Sequence, residues 1–163
     1  MPVIDELVQA NAQYGERFDK GSLAMPPARH VAVVTCMDAR LLPSRMLGLE
    51  EGDAHVIRNA GGRARDAIRS LVISQRLLGT NEVMVIHHAD CGMLSFTNDQ
   101  LRAKVKADLG ADDGGTDYLP FSDVKQSVRD DLEILRSSAL IADDVLIRGF
   151  VYDEKTGRVT EVA

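Results

Sequence analysis

Three stretches of this chain, His30–Thr35, Glu82–His87 and Val145–Val151, are built from β-branched and other apolar residues that do not alternate with polar ones. A strand that is apolar on both sides must be covered on both faces, which is the condition of a parallel sheet flanked by helices. Asp53–Ile57 reads as a further strand. Helical segments separate the strands. Leu42–Leu47 follows the first, and Arg65–Leu78 places Ile68, Leu71, Val72 and Leu78 on one face with Gly79 as a stop. A third runs from Thr97 or Asn98 towards Leu109, and a fourth spans Ser122–Leu135. Alternating strands and helices imply right-handed crossovers in a mostly parallel sheet. Thr156-Gly157, between Tyr152 and Val159, predicts a hairpin that adds an antiparallel strand at the end.

The expected architecture is therefore α/β: a central sheet of four mostly parallel strands plus a C-terminal antiparallel strand, with helices on its faces. Residues 1–163 read as a single domain, because 163 residues suit one core and no repeat or second unit is visible. Within it, 1–28 form a helix and an arm. Val3–Phe18 places Ile4, Leu7, Val8 and Ala12 near helical spacing, and the prolines of Gly21–Pro27 break regular structure. The apolar face of this first helix needs a cover from elsewhere.

A net charge of -6 with scattered basic residues opposes a nucleic-acid or anionic-membrane surface. No apolar run reaches membrane-spanning length. Met1–Glu6 lacks a charged segment leading into an apolar one, so the cytoplasm is the expected compartment. There, the two cysteines are expected as reduced ligands, catalytic thiols or core fillers rather than a disulfide.

Each cysteine lies in a polar cluster just after a strand: Cys36-Met37-Asp38-Ala39-Arg40 and His88-Ala89-Asp90-Cys91. Loops at the carboxyl ends of neighbouring parallel strands converge, so both clusters can reach one point. Two thiolates and an imidazole favour Zn²⁺ over hard cations, and three protein ligands leave a fourth position for water, as in catalytic sites. Cys36, His88 and Cys91 are the expected ligands of one zinc ion per chain. Two thiolates weaken the metal's pull on that water relative to three histidines, so activity is expected to rise towards alkaline pH. Asp38 could take the fourth position itself, whereas a bidentate Arg40 would hold its oxygens back and let it accept a hydrogen bond from bound water. Asp38 and Arg40 are the expected catalytic pair.

The remaining features carry less. His87 points away from His88 if the strand continues, and reads as a packing or capping residue, as do His30 and His55. Asp90 either orients Arg40 or a ligand, or caps the next turn. Gly61-Gly62 is a turn, or a place where backbone N–H groups approach a small anion.

With Cys36-x-Asp38-x-Arg40 and His88-x-x-Cys91 in this order, the chain resembles the β-class carbonic anhydrases in their short, single-repeat form. Val56–Gly61 and Cys91-Gly92-Met93 look like the family's loop and the turn after its last ligand. The resemblance spans roughly Leu7 to Val159. It implies zinc on Cys36, His88 and Cys91, the Asp38–Arg40 dyad, and reversible hydration of CO₂ to bicarbonate by zinc-bound hydroxide. It also implies a homodimer, or a dimer of dimers, in which the N-terminal helix crosses to the partner. Ala89 stands where many relatives have Thr, and Gly62 where several short ones have Asn. The absence of Trp removes part of the bicarbonate pocket by which some relatives close, so an open site with Asp38 paired to Arg40 is expected. Val72–Thr80 and Asn59–Gly62 also look like the branch containing carbonyl sulfide hydrolases, whose linear substrate presents the same electrophilic carbon. Two further readings are a zinc-stabilised binding module, with Asp38 as a permanent ligand, and a metal-free dithiol redox pair.

Overall fold

The computed structural model describes residues 1–162. Strands β1 (Val31–Cys36), β2 (Ala54–Asn59), β3 (Glu82–His88), β4 (Leu146–Asp153) and β5 (Arg158–Val162) form one sheet in the order β2-β1-β3-β4-β5. The first four are parallel and β5 runs antiparallel to β4, as the unalternating runs and the Thr156-Gly157 turn require. Helix α1 (Val3–Gly15) precedes β1, and α2 (Pro43–Leu47), α3 (Ala64–Leu78), α4 (Asn98–Leu109) and α5 (Val124–Arg136) lie in the connections between the parallel strands.

Local chemistry sets the helix ends. Pro43 opens α2, a capping box of Thr97 and Gln100 opens α4, and the Asp123 side chain accepts the Gln126 N–H at the start of α5. The first helix stops three residues short of the expected Phe18, and α5 starts at Val124 rather than Ser122 because Asp123 is its cap.

Right-handed crossovers from β2 to β3 and from β3 to β4 step in the same direction along the sheet, which places α3 and α5 side by side on one face. There Ala64, Ala67 and Leu71 of α3 and Val128, Leu132 and Leu135 of α5 bury against Ala32, Val34, Val83, Val85 and Ile147 of the strands. Gly149 permits this closeness: a Cβ on it would lie 2.9 Å from Leu132 Cδ1. On the opposite face Val33 and Ile86 are buried, whereas Val56 and Leu146 are exposed. The first helix buries none of its residues, and Ile4, Leu7 and Val8 lie open on it.

The chain leaves β1 towards β2 on one side, then returns past β1 to β3 on the other. The carboxyl ends of β1 and β3 therefore flank a switch point, where an open α/β sheet forms a crevice. The strands also run further than the apolar pattern predicts: β1 includes Cys36, β2 continues through Arg58 and Asn59, and β3 includes His88. Pairing of Cys36 with Asn59 and of His88 with Tyr152 extends the ladder into the polar motifs. Among the described residues no helix is long and apolar enough to cross a membrane.

Candidate metal centre

Cys36 and His88 are the last residues of adjacent strands, and ladder pairing with Asn59 of β2 and Tyr152 of β4 fixes their backbones. A single turn, Ala89-Asp90, then brings Cys91 back beside them. The donor atoms of Cys36, His88 and Cys91 all lie within 4.8 Å of one another, and all three residues are buried. The two sulfurs are 4.0 Å apart. Tetrahedral Zn–S bonds of about 2.3 Å would put them about 3.8 Å apart, whereas a disulfide needs about 2.05 Å. Both cysteines are free thiols. His88 Nε2 is buried and has no hydrogen-bond partner, an arrangement that costs about 1–3 kcal/mol unless something occupies that lone pair. Soft sulfurs, one imidazole and an orphaned buried nitrogen suit a zinc ion.

Electrostatics favour ionised sulfur. The Cys36 thiol is lowered to about 4, chiefly by its hydrogen bond with Cys91, and burial does not cancel the added contacts with His88 and the Asp38 and Gly61 N–H groups. The same sulfur contact, with burial, pushes Cys91 up, so the shared contact favours one ionised sulfur in the pair. Burial opposes charge on His88, yet contacts with Cys36 and Glu154 raise it above the ordinary histidine value.

Asp38 and Arg40 meet as the motif spacing suggests. Arg40 Nε donates to Asp38 Oδ1 at 3.0 Å and Nη2 to Oδ2 at 2.8 Å, while the Arg40 backbone N–H donates to Oδ1 at 2.9 Å. The guanidinium holds the Asp38 carboxyl well below the usual carboxylate range. Asp38 Oδ2 still lies 4.0 Å from His88 Nε2, so the carboxylate borders the donor cluster while committed to Arg40. Asp90 serves the same arginine: its Oδ2 accepts from Arg40 Nη1 at 2.7 Å and its carbonyl from Nη2 at 2.8 Å.

Glycine makes the approach of the β2 loop possible. Gly61 and Gly62 have φ of +80° and +70°, and a Cβ on Gly62 would sit 2.8 Å from the Thr35 carbonyl carbon and 2.9 Å from the Cys36 nitrogen. Leu41, Met46, Ala60, Met93, Phe96, Phe121 and Tyr152 surround the cysteines with apolar surface.

The other histidines lie elsewhere. His87 points to the helical face, with Nδ1 2.7 Å from Ser127 Oγ and Nε2 3.0 Å from Asp131 Oδ2. His30 Nδ1 meets the Gly79 carbonyl and His55 Nδ1 the Ser74 hydroxyl. Two side chains beside the centre had been given no contact by the sequence, although Arg58 lies within the Val56–Gly61 loop. Arg58 donates to the carbonyls of Cys36 at 3.0 Å and Asp38 at 2.6 Å, tying the first motif to β2. Glu154 reaches His88 Nδ1 from the turn between β4 and β5. Glu154 stands at no spacing that a linear pattern would flag.

Residues 31–111 match the carbonic anhydrase family profile. Over 99% of both chains the sequence is 45% identical to β-carbonic anhydrase 1 of Mycobacterium tuberculosis. The chain belongs to the β-carbonic anhydrase family. Among solved members, a carbonic anhydrase from Streptococcus mutans superposes with a TM-score of 0.95 at 48% identity, covering 100% of this chain and 99% of that one. A carbon disulfide hydrolase of Saccharolobus solfataricus is 33% identical over 96% of this chain and 87% of its own length. The family thus extends to a sulfur-containing substrate, carbon disulfide, besides the carbonyl sulfide suggested by the sequence branch.

Proposed function

We propose that this β-carbonic anhydrase relative catalyses the reversible hydration of CO₂ to bicarbonate and a proton, with one zinc ion per chain held by Cys36, His88 and Cys91. The observation that carries the reading is the buried donor triad whose His88 Nε2 has no partner, bordered by a carboxylate that an arginine already engages. Zinc bound there would supply a Lewis acid that makes water a nucleophile, more fully towards alkaline pH because two of its ligands are thiolates. The chain's own residues do the rest. Arg40 forks the Asp38 carboxylate, leaving it ionised and aimed beside the donor cluster as a hydrogen-bond acceptor instead of a fourth ligand. Asp90 pins the far side of Arg40 and so fixes the fork.

The same machinery would serve carbonyl sulfide or carbon disulfide, and the 33% identity to a carbon disulfide hydrolase favours keeping that second reading. One preparation of known zinc content should be assayed in parallel for CO₂ hydration by stopped flow and for hydrogen sulfide release from carbonyl sulfide and from carbon disulfide. CO₂ hydration dominating the three supports the proposal. A folded, zinc-loaded chain inert towards all three would refute enzymatic function and favour a zinc-stabilised binding module.

The exposed apolar stripe of Ile4, Leu7 and Val8, with Val56 and Leu146 exposed on the sheet face opposite α3 and α5, supports a homodimer or dimer of dimers in which a partner subunit supplies the cover. The five-stranded sheet supports treating residues 1–163 as one domain. Free thiols at ligand spacing fit a reducing compartment, and the cytoplasm is the location proposed.

A further inference from the structure

We infer that Glu154, in the turn that closes the C-terminal hairpin, is a positioning residue for the metal centre, fixing the tautomer and orientation of His88 and the path of the Ala89-Asp90 turn. The inference rests on the zinc reading above.

Glu154 is far from either motif in sequence, yet its Oε1 contacts His88 Nδ1 and also accepts the Asp90 backbone N–H at 3.1 Å. One carboxylate oxygen therefore grips both ends of the segment that must place His88 and Cys91 together. Only 12% of the Glu154 side chain is exposed. A carboxylate can only accept, so the imidazole proton is drawn to Nδ1 and the lone pair is left on Nε2, the buried atom without a partner. The two observations are independent and agree: one ring nitrogen is satisfied by protein and the other is presented to the donor cluster.

The turn that carries Glu154 is rigid. Asp153 accepts from the Lys155 N–H at 2.9 Å, the Thr156 hydroxyl at 3.0 Å and, through its carbonyl, the Gly157 N–H at 2.8 Å. Tyr152, just before it, pairs with His88 in the parallel ladder and accepts the Ala89 N–H at 2.9 Å. The carboxylate is thus delivered from a fixed frame, and the hairpin is part of the metal centre although it contributes no donor to it.

Zinc affinity is to be measured by competition with a chromophoric chelator for the wild type, Glu154→Val and Glu154→Gln, and Co²⁺-substituted samples compared by visible absorption. Loss of an outer hydrogen bond to a metal-bound histidine costs about 10- to 100-fold in metal affinity. Glu154→Val should lose affinity in that range and shift the Co²⁺ bands. Glu154→Gln, which keeps a neutral acceptor in the same place, should recover part of both. The proposal is overturned if the variants, Glu154→Gln included, hold zinc within about twofold of the wild type with an unchanged Co²⁺ spectrum. A wild-type chain that takes up no zinc would instead overturn the metal-centre reading together with this one.

Discussion

Asp131 lies at the centre of a wholly buried polar cluster on the helical face, and its removal should be among the most destabilising single changes in the chain. Its side chain is 0% exposed, with Oδ1 3.0 Å from Arg63 Nη2 and Oδ2 2.9 Å from the Ala64 N–H and 3.0 Å from His87 Nε2. Ala64 is the first residue of α3, so Asp131 satisfies an otherwise free amide at a helix N-terminus, where negative charge is favoured. Asp131→Ala strands the buried Arg63 guanidinium, one imidazole nitrogen and that amide. Breaking a buried ion pair from one side costs about 3–5 kcal/mol, so we expect a loss of about 4 kcal/mol. For a chain of this length that corresponds to a fall in Tm of about 8–16 °C. Urea unfolding at fixed protein concentration should show a lowered midpoint with an unchanged slope. Replacing both charges, Arg63→Met with Asp131→Leu, leaves no unpaired charge but still strands the His87 nitrogen and the Ala64 amide, so it should restore only part of the loss. A loss below about 1 kcal/mol for Asp131→Ala, or a double variant no better than the single, would refute the argument.

Gly149→Ala pushes a methyl into Leu132 and Val128 of α5 and should cost about 1–3 kcal/mol in the same unfolding assay. Gly62→Ala meets backbone rather than a side chain that could move, at a positive φ, and should displace Cys36; elemental analysis is expected to find zinc below one per chain. Arg40→Ala frees Asp38 to turn towards the donor cluster, so CO₂ hydration at neutral pH should drop about tenfold or more, and retained turnover would show that Arg40 does not hold Asp38 away from the metal. Leu7→Glu on the open face of α1 should lower the mass found by light scattering coupled to size exclusion, and an unchanged mass would remove this helix from the proposed interface.

The sequence alone determined the layers and the chemistry at the strand ends. Unalternating runs such as Val31–Val34 can be buried only in a covered parallel sheet, and Cys36, Asp38, Arg40, His88 and Cys91 sit in short motifs whose local spacing is readable in one dimension. The opposed directions of His87 and His88 follow from strand periodicity, and the structure sends His87 to Ser127 and Asp131. What the tertiary structure decided was everything that depends on partners distant in sequence. The strands extend through Cys36 and His88 because ladder pairing with Asn59 and Tyr152 continues there, which hydrophobicity cannot signal. Asp90 could cap or orient until its contact with Arg40 settled which. The contacts of Glu154 with His88, of Arg58 with the Cys36 and Asp38 carbonyls and of Arg63 with Asp131 carry no signal in one dimension, because burial and pairing of a polar side chain arise only when separate segments close on one another.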